Sequence, residues 1–350
     1  MGKSMRTIWW KDGVVVTIDQ SKLPNRLIYL RLRSAKDVAT AIKKMQVRGA
    51  PLIGVAAAYG LALTAWHSSA KTRRRLFNEL TKAANILKST RPTGVNLFWA
   101  ISRIIEIARQ CEGSVNDVKR AVIEEAQKLA DTDLMVNKAI GQNGAILLED
   151  GDVILTHCNP GAFGTVGYGT ALGVIRAAFQ TGKKIKVIVT ETRPMLQGAR
   201  LTTFELARER IPVTLITDGM VGYIMEKRMV NKVLVGADRI LKTGHVINKI
   251  GTLSIAITAN YYHVPFYVAA PLSTFDLKTK LSDITIEERS PLEVTHFLGR
   301  RIAYRGVPAL NPAFDITPPD LIKLIITENG LLRPDEIEEK VSAWSGDLNI

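Results

Sequence analysis

DVILTHCNPGAFGTVGYGTALGVIRAAF, residues 152–179, sets an apolar run of strand length, a glycine-rich loop and a helical stretch in one line. The pattern recurs through the C-terminal part of the chain. Apolar runs KIKVIVTE (184–191), PVTLITD (212–218), KVLVGAD (232–238) and VPFYVAA (264–270) alternate with TALGVIRAAFQTG, GARLTTFELARER, MVGYIMEKRM and NKIGTLSIAITANYY, all with helical character. Buried strands joined by single helices form a parallel sheet covered on both faces, so this part reads as a Rossmann-like α/β domain. From about 334 the chain turns acidic and polar and reads as a frayed helical tail.

Upstream, Trp9–Ile18 and Arg26–Leu32 read as short β segments around turns at Asp12-Gly13 and Leu23-Pro24-Asn25. Residues 34–46 carry helical periodicity with Ser34 as N-cap. Helices follow at 51–66, 71–90 and 95–111, then a long one from Val115 with Ser114 as its cap. The expected fold is therefore α/β, with an N-terminal small β-ribbon plus helical domain (1–130) and a C-terminal Rossmann-like parallel-sheet domain (131–350). Pro51–Trp66 is free of charge but falls short of the ~20 residues a membrane span needs. It reads as a buried helix, and no membrane association is expected.

The chain has 350 residues, 46% hydrophobic and 23% charged, a mix that suits a folded protein and excludes disordered or collagen-like chains. Lys+Arg 47 against Asp+Glu 33 gives +14. The excess is confined to residues 1–110, with 20 basic and 5 acidic side chains; 111–350 hold 27 and 28. A basic first third admits nucleic acid, acidic membrane surfaces or anionic small molecules as partners, and equally a solvated basic surface. Two cysteines, Cys111 and Cys158, without metal-ligand spacing, fit a reducing, cytoplasmic setting. The opening MGKSMRTIWWKDG has no apolar core, so no signal peptide is expected.

In an open parallel sheet, ligands bind beyond the carboxyl ends of the strands. Those ends carry His157-Cys158-Asn159, Glu191-Thr192-Arg193 with Gln197, Asp218-Gly219, and Asp238-Arg239 with Asn248-Lys249. Thiol, carboxylates, amides and cations together suit acid–base work on a polar anionic substrate. Cys158 reads either as a small core residue or as a functional thiol whose pKa a cation or helix end would lower. Asp238 follows VLVGA and is expected in dry surroundings, as a general acid requires; the alternative is a salt bridge to Arg239 or a helix cap. Gly167–Gly173 reads GxGxxxG, one residue longer than the dinucleotide fingerprint, and fits a phosphate-binding helix start or a close strand–helix contact better than a nicotinamide cofactor. Arg48-Gly49-Ala50-Pro51 opens the apolar helix, and Arg91 in Ser89–Thr93 precedes another. Each arginine is a surface charge or, jointly, a source of cations for a phosphate.

VRGAPLIGVAAAYG, STRPTGVNLFWA, ILTHCNPGAFGTVGYGTALGVIRAA, ETRPMLQGARLTTFEL, VLVGADRI, NKIGTLSIAI, VPFYVAAPLSTFD, ITIEERSP and NPAFDITPPDLI, in this order from about residue 9 to 330, resemble the S-methyl-5-thioribose-1-phosphate isomerase family of methionine salvage. That family is related to the initiation factor 2B regulatory subunits and to archaeal ribose-1,5-bisphosphate isomerase. The resemblance implies an aldose–ketose isomerase acting on 5-methylthioribose 1-phosphate, with Cys158 as the base and Asp238 as the proton donor. It places Arg48, Gly49, Ala50, Arg91, Gln197, Asn248 and Lys249 at the substrate, and implies a homodimer. Neither metal nor redox cofactor is needed. Pro160 and GAFGT stand where the family usually reads GALAT, and Phe204 where it commonly has Trp, which bears on the 5-substituent. 5-Deoxyribose 1-phosphate and ribose 1,5-bisphosphate are the alternative substrates. A non-catalytic regulatory protein would explain the basic third but not the Cys158/Asp238 pair, and nucleic-acid binding is not expected.

Overall fold

A computed structural model describes residues 5–91 and 94–345, arranged as two compact units. The first comprises residues up to 138 together with 161–169; the second comprises 139–160 and 170 onward. The division thus falls inside a helix, and one loop of the α/β half belongs with the first unit.

In the first unit, β1 (Ile8–Lys11), β2 (Val14–Ile18) and β3 (Tyr29–Leu32) form an antiparallel ribbon, turning at Asp12-Gly13, where both residues have positive φ. Five helices follow: α1 (Ala35–Lys43), α2 (Ala50–His67), α3 (Arg73–Lys88), α4 (Val95–Gln110) and α5 (Val115–Ala145), the last running on into the second unit. Ser34 caps α1 by accepting from Asp37 N–H. Ser114 caps α5 reciprocally, taking Asp117 N–H on its hydroxyl while Asp117 Oδ2 takes the Ser114 N–H. Among the described residues α2 alone is long and apolar enough to cross a membrane, but its sides are packed against α1, α3 and α4. Tyr59, Leu61 and Leu63 are essentially inaccessible there, which accounts for an apolar composition on every face of the helix.

The second unit is built on a seven-stranded sheet. Its members are β4 (Val153–Thr156), β5 (Lys186–Thr190), β6 (Val213–Ile216), β7 (Lys232–Val235) and, further along the chain, β10, β15 and β16. Three helices lie between the first four strands: α6 (Ala171–Gln180), α7 (Thr203–Arg208) and α8 (Val221–Glu226). After β7 come β8 (Arg239–Leu241), β9 (Val246–Lys249) and α9 (Thr252–Tyr261), then β10 (Phe266–Ala269) and β11 (Phe275–Asp276). A short turn of helix, α10 (Leu292–Thr295), leads to a small hairpin of β12 (His296–Phe297) and β13 (Arg300–Arg301). The chain closes with β14 (Phe314–Thr317), β15 (Leu324–Thr327), β16 (Gly330–Leu332) and α11 (Ile337–Ser345).

Strand order across the large sheet is β16-β15-β10-β7-β4-β5-β6, parallel except for β16. The chain builds outward from β4 on one side through β5 and β6, then returns to β7 on the other side and builds through β10 and β15. The direction of winding reverses between β4 and β7, so their carboxyl ends flank the crevice where such sheets take ligands. Ile154, Leu155, Val233 and Leu234 are wholly buried there, each contributing roughly 1.5–3 kcal/mol of transfer free energy.

The five expected strands are all present, and two expectations need correction. Asn248 and Lys249 do not open a helix: they end β9, which pairs with β8 and β14 in a second sheet of order β11-β8-β9-β14. Gly251, at φ +102, then breaks the extended run so that α9 starts at Thr252. The segment after 334 does not fray either. Ile337 and Val341, one helical turn apart, are buried in the second unit's core, so polar residues mark only the outer face of α11.

Candidate active site

Cys158 leaves β4 and Asp238 leaves β7, the two strands at the reversal point. The loops that carry them touch: a Cβ added at Gly236 would lie 2.9 Å from the Pro160 side chain. Asp238 is half-buried rather than enclosed, because the chain has already left the sheet at Gly236; its N–H donates to Ile247 O. Arg239 reaches Asp276 at 3.4 Å.

Cys158 is half-buried and adopts φ +59, a left-handed conformation uncommon for a side-chain residue. Its backbone is held from both sides. Thr192 Oγ1 accepts the Cys158 N–H at 2.9 Å, and Thr202 Oγ1 donates to the Cys158 carbonyl at 2.6 Å. Thr192 has φ +64, although a β-branched residue there is strained by about 1–3 kcal/mol. It is kept so by Asp218, whose two carboxylate oxygens accept the Thr192 and Arg193 N–H groups at 2.8 and 2.7 Å. Two strained residues at adjacent strand ends, each fixed by its neighbours, mark a pre-organised loop cluster.

His157, next to Cys158, is buried with both ring nitrogens engaged. Nε2 donates to Ile250 O at 2.9 Å, which leaves Nδ1 to accept from Thr190 Oγ1 at 2.6 Å. Burial, opposed by Asp218, lowers its pKa, so the imidazole is neutral and acts as a strut. Glu191 is raised above the usual carboxylate range, by burial first and then by Asp218.

Asn159 anchors the other side of Cys158. Its Nδ2 donates to Glu205 Oε1 at 2.5 Å and to Thr202 Oγ1 at 3.1 Å. Glu205 is in turn bound by Arg176 at 2.5 Å, and Arg176 also meets Glu209 at 2.6 Å. Burial alone would lower the Arg176 pKa; Glu205 and Glu209 outweigh it and hold the guanidinium charged.

The remaining expected residues of this unit sit on segments tied to the same cluster. Gln197 precedes a turn, Gly198–Thr202, that is pressed onto the end of β5: Leu196 N–H donates to Thr192 O and Ala199 N–H to Glu191 O. Gln197 is buried and its Oε1 has no hydrogen-bond partner among the described residues. Asn248 donates to Thr252 Oγ1 at 3.0 Å, and Lys249 binds Ala313 O while lying 4.5 Å over the Phe314 ring. The segments bearing Cys158, Gln197, Asp238, Asn248 and Lys249 are therefore joined to one another through residues 157–160 and 247–250.

Arg48, Gly49, Ala50 and Arg91 belong to the first unit. Arg48 is buried, its Nε donating to Gln20 Oε1, while Gln20 donates to Phe163 O. Gly49, at φ +93, precedes α2 and lies against Gly164, where a Cβ would come within 2.4 Å of the backbone. Backbone presses on backbone there, and no other residue type fits. Ala50 opens α2, with Pro51 in its first turn and no side-chain cap on its N–H groups. Arg91 donates to Met45 Sδ at 3.5 Å, whereas Pro92 and Thr93 of its loop lie outside the described residues. Among the described residues no group of three or more His, Cys, Asp or Glu side chains is placed to hold a metal.

Thr202, Glu205, Arg176 and Asp315 were not foreseen as supports of this cluster. Arg176 had a visible signal: it is the one charge in Ala171–Gln180, an otherwise apolar helix, and a lone cation there requires a buried partner.

Residues 46–334 match the initiation factor 2 subunit family. The putative methylthioribose-1-phosphate isomerase of Methanocaldococcus jannaschii is 52% identical over 340 residues, 97% of this chain and 98% of that protein. The crystal structure of 5-methylthioribose 1-phosphate isomerase from Pyrococcus horikoshii OT3 matches with a TM-score of 0.90 at 42% identity, covering 99% of this chain and 97% of that one. That of translation initiation factor eIF-2B subunit delta from A. fulgidus matches at 0.86 and 48% identity, covering 96% and 99%. Fold, full-length identity and family match agree: the chain belongs to the initiation factor 2 subunit family, in the part of it that includes the methylthioribose-1-phosphate isomerases.

Proposed function

We propose that this chain is an aldose–ketose isomerase that converts 5-methylthioribose 1-phosphate to 5-methylthioribulose 1-phosphate. The observation that carries the reading is the placement of Cys158 and Asp238 on the facing ends of β4 and β7, with the loops behind them in contact.

The substrate is locked as a ring by the phosphate on its anomeric oxygen, so spontaneous ring opening is blocked. Asp238 protonates the ring oxygen as the C1–O bond breaks. Cys158, as thiolate, takes the C2 proton, and that electron pair forms the C1–C2 double bond of an enol phosphoester. The C2 hydroxyl then gives up its proton as C1 is reprotonated, leaving the 1-phosphoketose. By the family resemblance, Arg48 and Arg91 are assigned to the phosphate, and Gln197, Asn248 and Lys249 to polar contacts with the sugar.

Cys158→Ser and Asp238→Asn are each expected to lower turnover by orders of magnitude while the circular dichroism and melting of the fold remain intact. Near-normal turnover in either variant removes that residue from the mechanism. Deuterium from solvent at C1 of the product supports the enol route, and its complete absence supports a direct C2-to-C1 hydride shift.

The name carried by the A. fulgidus structure favours a second reading, a non-catalytic subunit of the eIF-2B type. Offering 5-methylthioribose, 5-deoxyribose and ribose-5-phosphate as their 1-phosphates, without added cofactor, separates the two. A new ketose phosphate from any of them supports the isomerase, and which one is fastest defines the 5-substituent. The homodimer that accompanies this proposal is checked by light scattering in solution.

A further inference from the structure

Asp315 sits on β14 directly opposite Asn248 of β9. Its Oδ2 accepts the Gly251 N–H at 2.7 Å, and the Leu253 N–H also favours its charged form. It thus does for α9 what an N-cap side chain would do, since Gly251 at the cap position has none. Its other oxygen, Oδ1, is buried with no hydrogen-bond partner among the described residues.

A carboxylate beside a helix N-terminus is common. This one grips a turn that has a second task. The residue before Gly251 is Ile250, whose carbonyl receives the His157 Nε2–H at 2.9 Å. Gly251 also packs under the same ring: a Cβ there would stand 3.2 Å from His157 Cε1. His157 is bonded to Thr190 on its far side and covalently joined to Cys158, whose N–H Thr192 holds. The chain of contacts runs from Asp315 through Gly251 and Ile250 to His157 and Cys158, and the same turn ends the strand bearing Asn248.

We propose that Asp315 is a positioning residue: it fixes the Ile250–Leu253 turn, and through His157 it sets the orientation of Cys158. The proposal rests on reading Cys158 as the reacting thiol. The charged side chain that acts on Asp315 is Lys249 of β9, which also lies in the fields of His157, at the end of β4, and of Glu293, in the segment before β14. The residues of α9 add no charged side chain. Burial, opposed by the Leu253 and Gly251 N–H groups and by Lys249, pushes the Asp315 carboxyl up to about 6. Its charge therefore changes within a range where the enzyme can be assayed.

The test compares wild type, Asp315→Asn and Asp315→Ala, all in a Cys111→Ser background, by two readouts from pH 5 to 8.5. One is the rate at which iodoacetamide alkylates Cys158, followed by mass spectrometry and independent of any substrate. The other is kcat and KM for the sugar phosphate. Asn keeps an acceptor for the Gly251 N–H and stands in for the protonated acid. It should match wild type below about pH 6 and fall away above it, with roughly tenfold lower kcat and an altered alkylation rate, as a small misplacement of a reacting group produces. Ala removes the acceptor and should differ from wild type at every pH. Wild-type alkylation and kcat in Asp315→Asn across the range overturn the proposal, whether or not Asp315→Ala folds. An equal, pH-independent loss in both variants, with Cys158 alkylation unchanged, also overturns it, since that is a merely structural cap. If wild type turns over no sugar phosphate, the isomerase reading has failed, and the alkylation arm alone decides the positioning role.

Discussion

Arg176→Met tests whether the buried network behind Cys158 behaves as the geometry requires. The Arg176 and Glu205 side chains are 4% and 0% exposed and meet at 2.5 Å, whereas Glu209, the second partner, is 33% exposed. Removing the guanidinium leaves Glu209 free to turn to water but deprives the buried Glu205 of its cation, while the Asn159 amide still donates to it. Breaking one side of a buried pair costs about 3–5 kcal/mol because the remaining charge is uncompensated. For a unit of this size that corresponds to a drop in melting temperature of roughly 6–20 °C. Adding Glu205→Gln removes the uncompensated charge while keeping an acceptor for Asn159. The double variant should therefore melt above Arg176→Met alone. Calorimetry gives the melting temperatures, and hydrogen exchange across Val187–Val189 confirms that the second unit is reporting. If Arg176→Met melts within about 1 °C of wild type, or the double variant melts below the single, the network is not organised by charge compensation and the account of Asn159 fails with it.

Gly198→Ala would set a methyl 1.8 Å from Thr190 O and 2.9 Å from Thr192 Oγ1. Backbone must move, so a loss of about 1–3 kcal/mol is expected together with lower kcat, because Thr192 holds Cys158; urea unfolding and kinetics check both. Gly222→Ala, in α8 with nothing within 4 Å of the new methyl, is the contrast and should stabilise by about 0.5–1 kcal/mol. Asp133 of α5 accepts the Val166 N–H at 2.7 Å, and burial pushes its carboxyl up to about 7. A folded-state pKa above the unfolded value contributes stability that is present at low pH and lost as the pH rises through 7. Asp133→Asn should therefore gain on wild type between pH 5 and 8.5 in melting temperature, and a gap that does not change with pH contradicts the assignment. Gly49→Ala is expected to disrupt the contact with Gly164 and to melt lower than wild type, by more than Gly198→Ala, since the new side chain also adopts φ +93.

Five of the seven strands of the large sheet were legible because each is an apolar run of strand length bounded by glycine, proline or charge, whereas β15 and β16 were not foreseen; α1 and α5 were legible from their Ser34 and Ser114 caps, and α2 from its uncharged run. What escaped was long-range pairing. Nothing local in Val246–Lys249 shows that β8 and β14 will flank it, so Asn248 and Lys249 passed for a helix start. The polar tail misled in a similar way: composition registers Glu338, Glu339 and Lys340, while the two positions that decide packing, Ile337 and Val341, are a minority. Around the candidate site, Cys158 and Asp238 were singled out by following strand ends, a rule of topology. Glu205 and Asp315 act through partners distant in sequence, and a single chain read alone does not show which carboxylate will meet which N–H.

The return of residues 161–169 to the first unit bears on how this protein can be taken apart. Val166 is part of that unit's core, Thr7 donates to the carbonyls of both Thr165 and Val166, and Gln20 holds Phe163. A gene truncated after Lys138 would cut α5 short of its end at Ala145 and lack the loop that completes the unit. A single cut after residue 138 leaves the first unit incomplete, whereas the fragment from 139 onward holds all of the second unit together with a loop that belongs to the first. Recombination or fragment expression that treats residue 138 as a boundary would therefore produce one incomplete piece and one carrying a loop whose partners are missing.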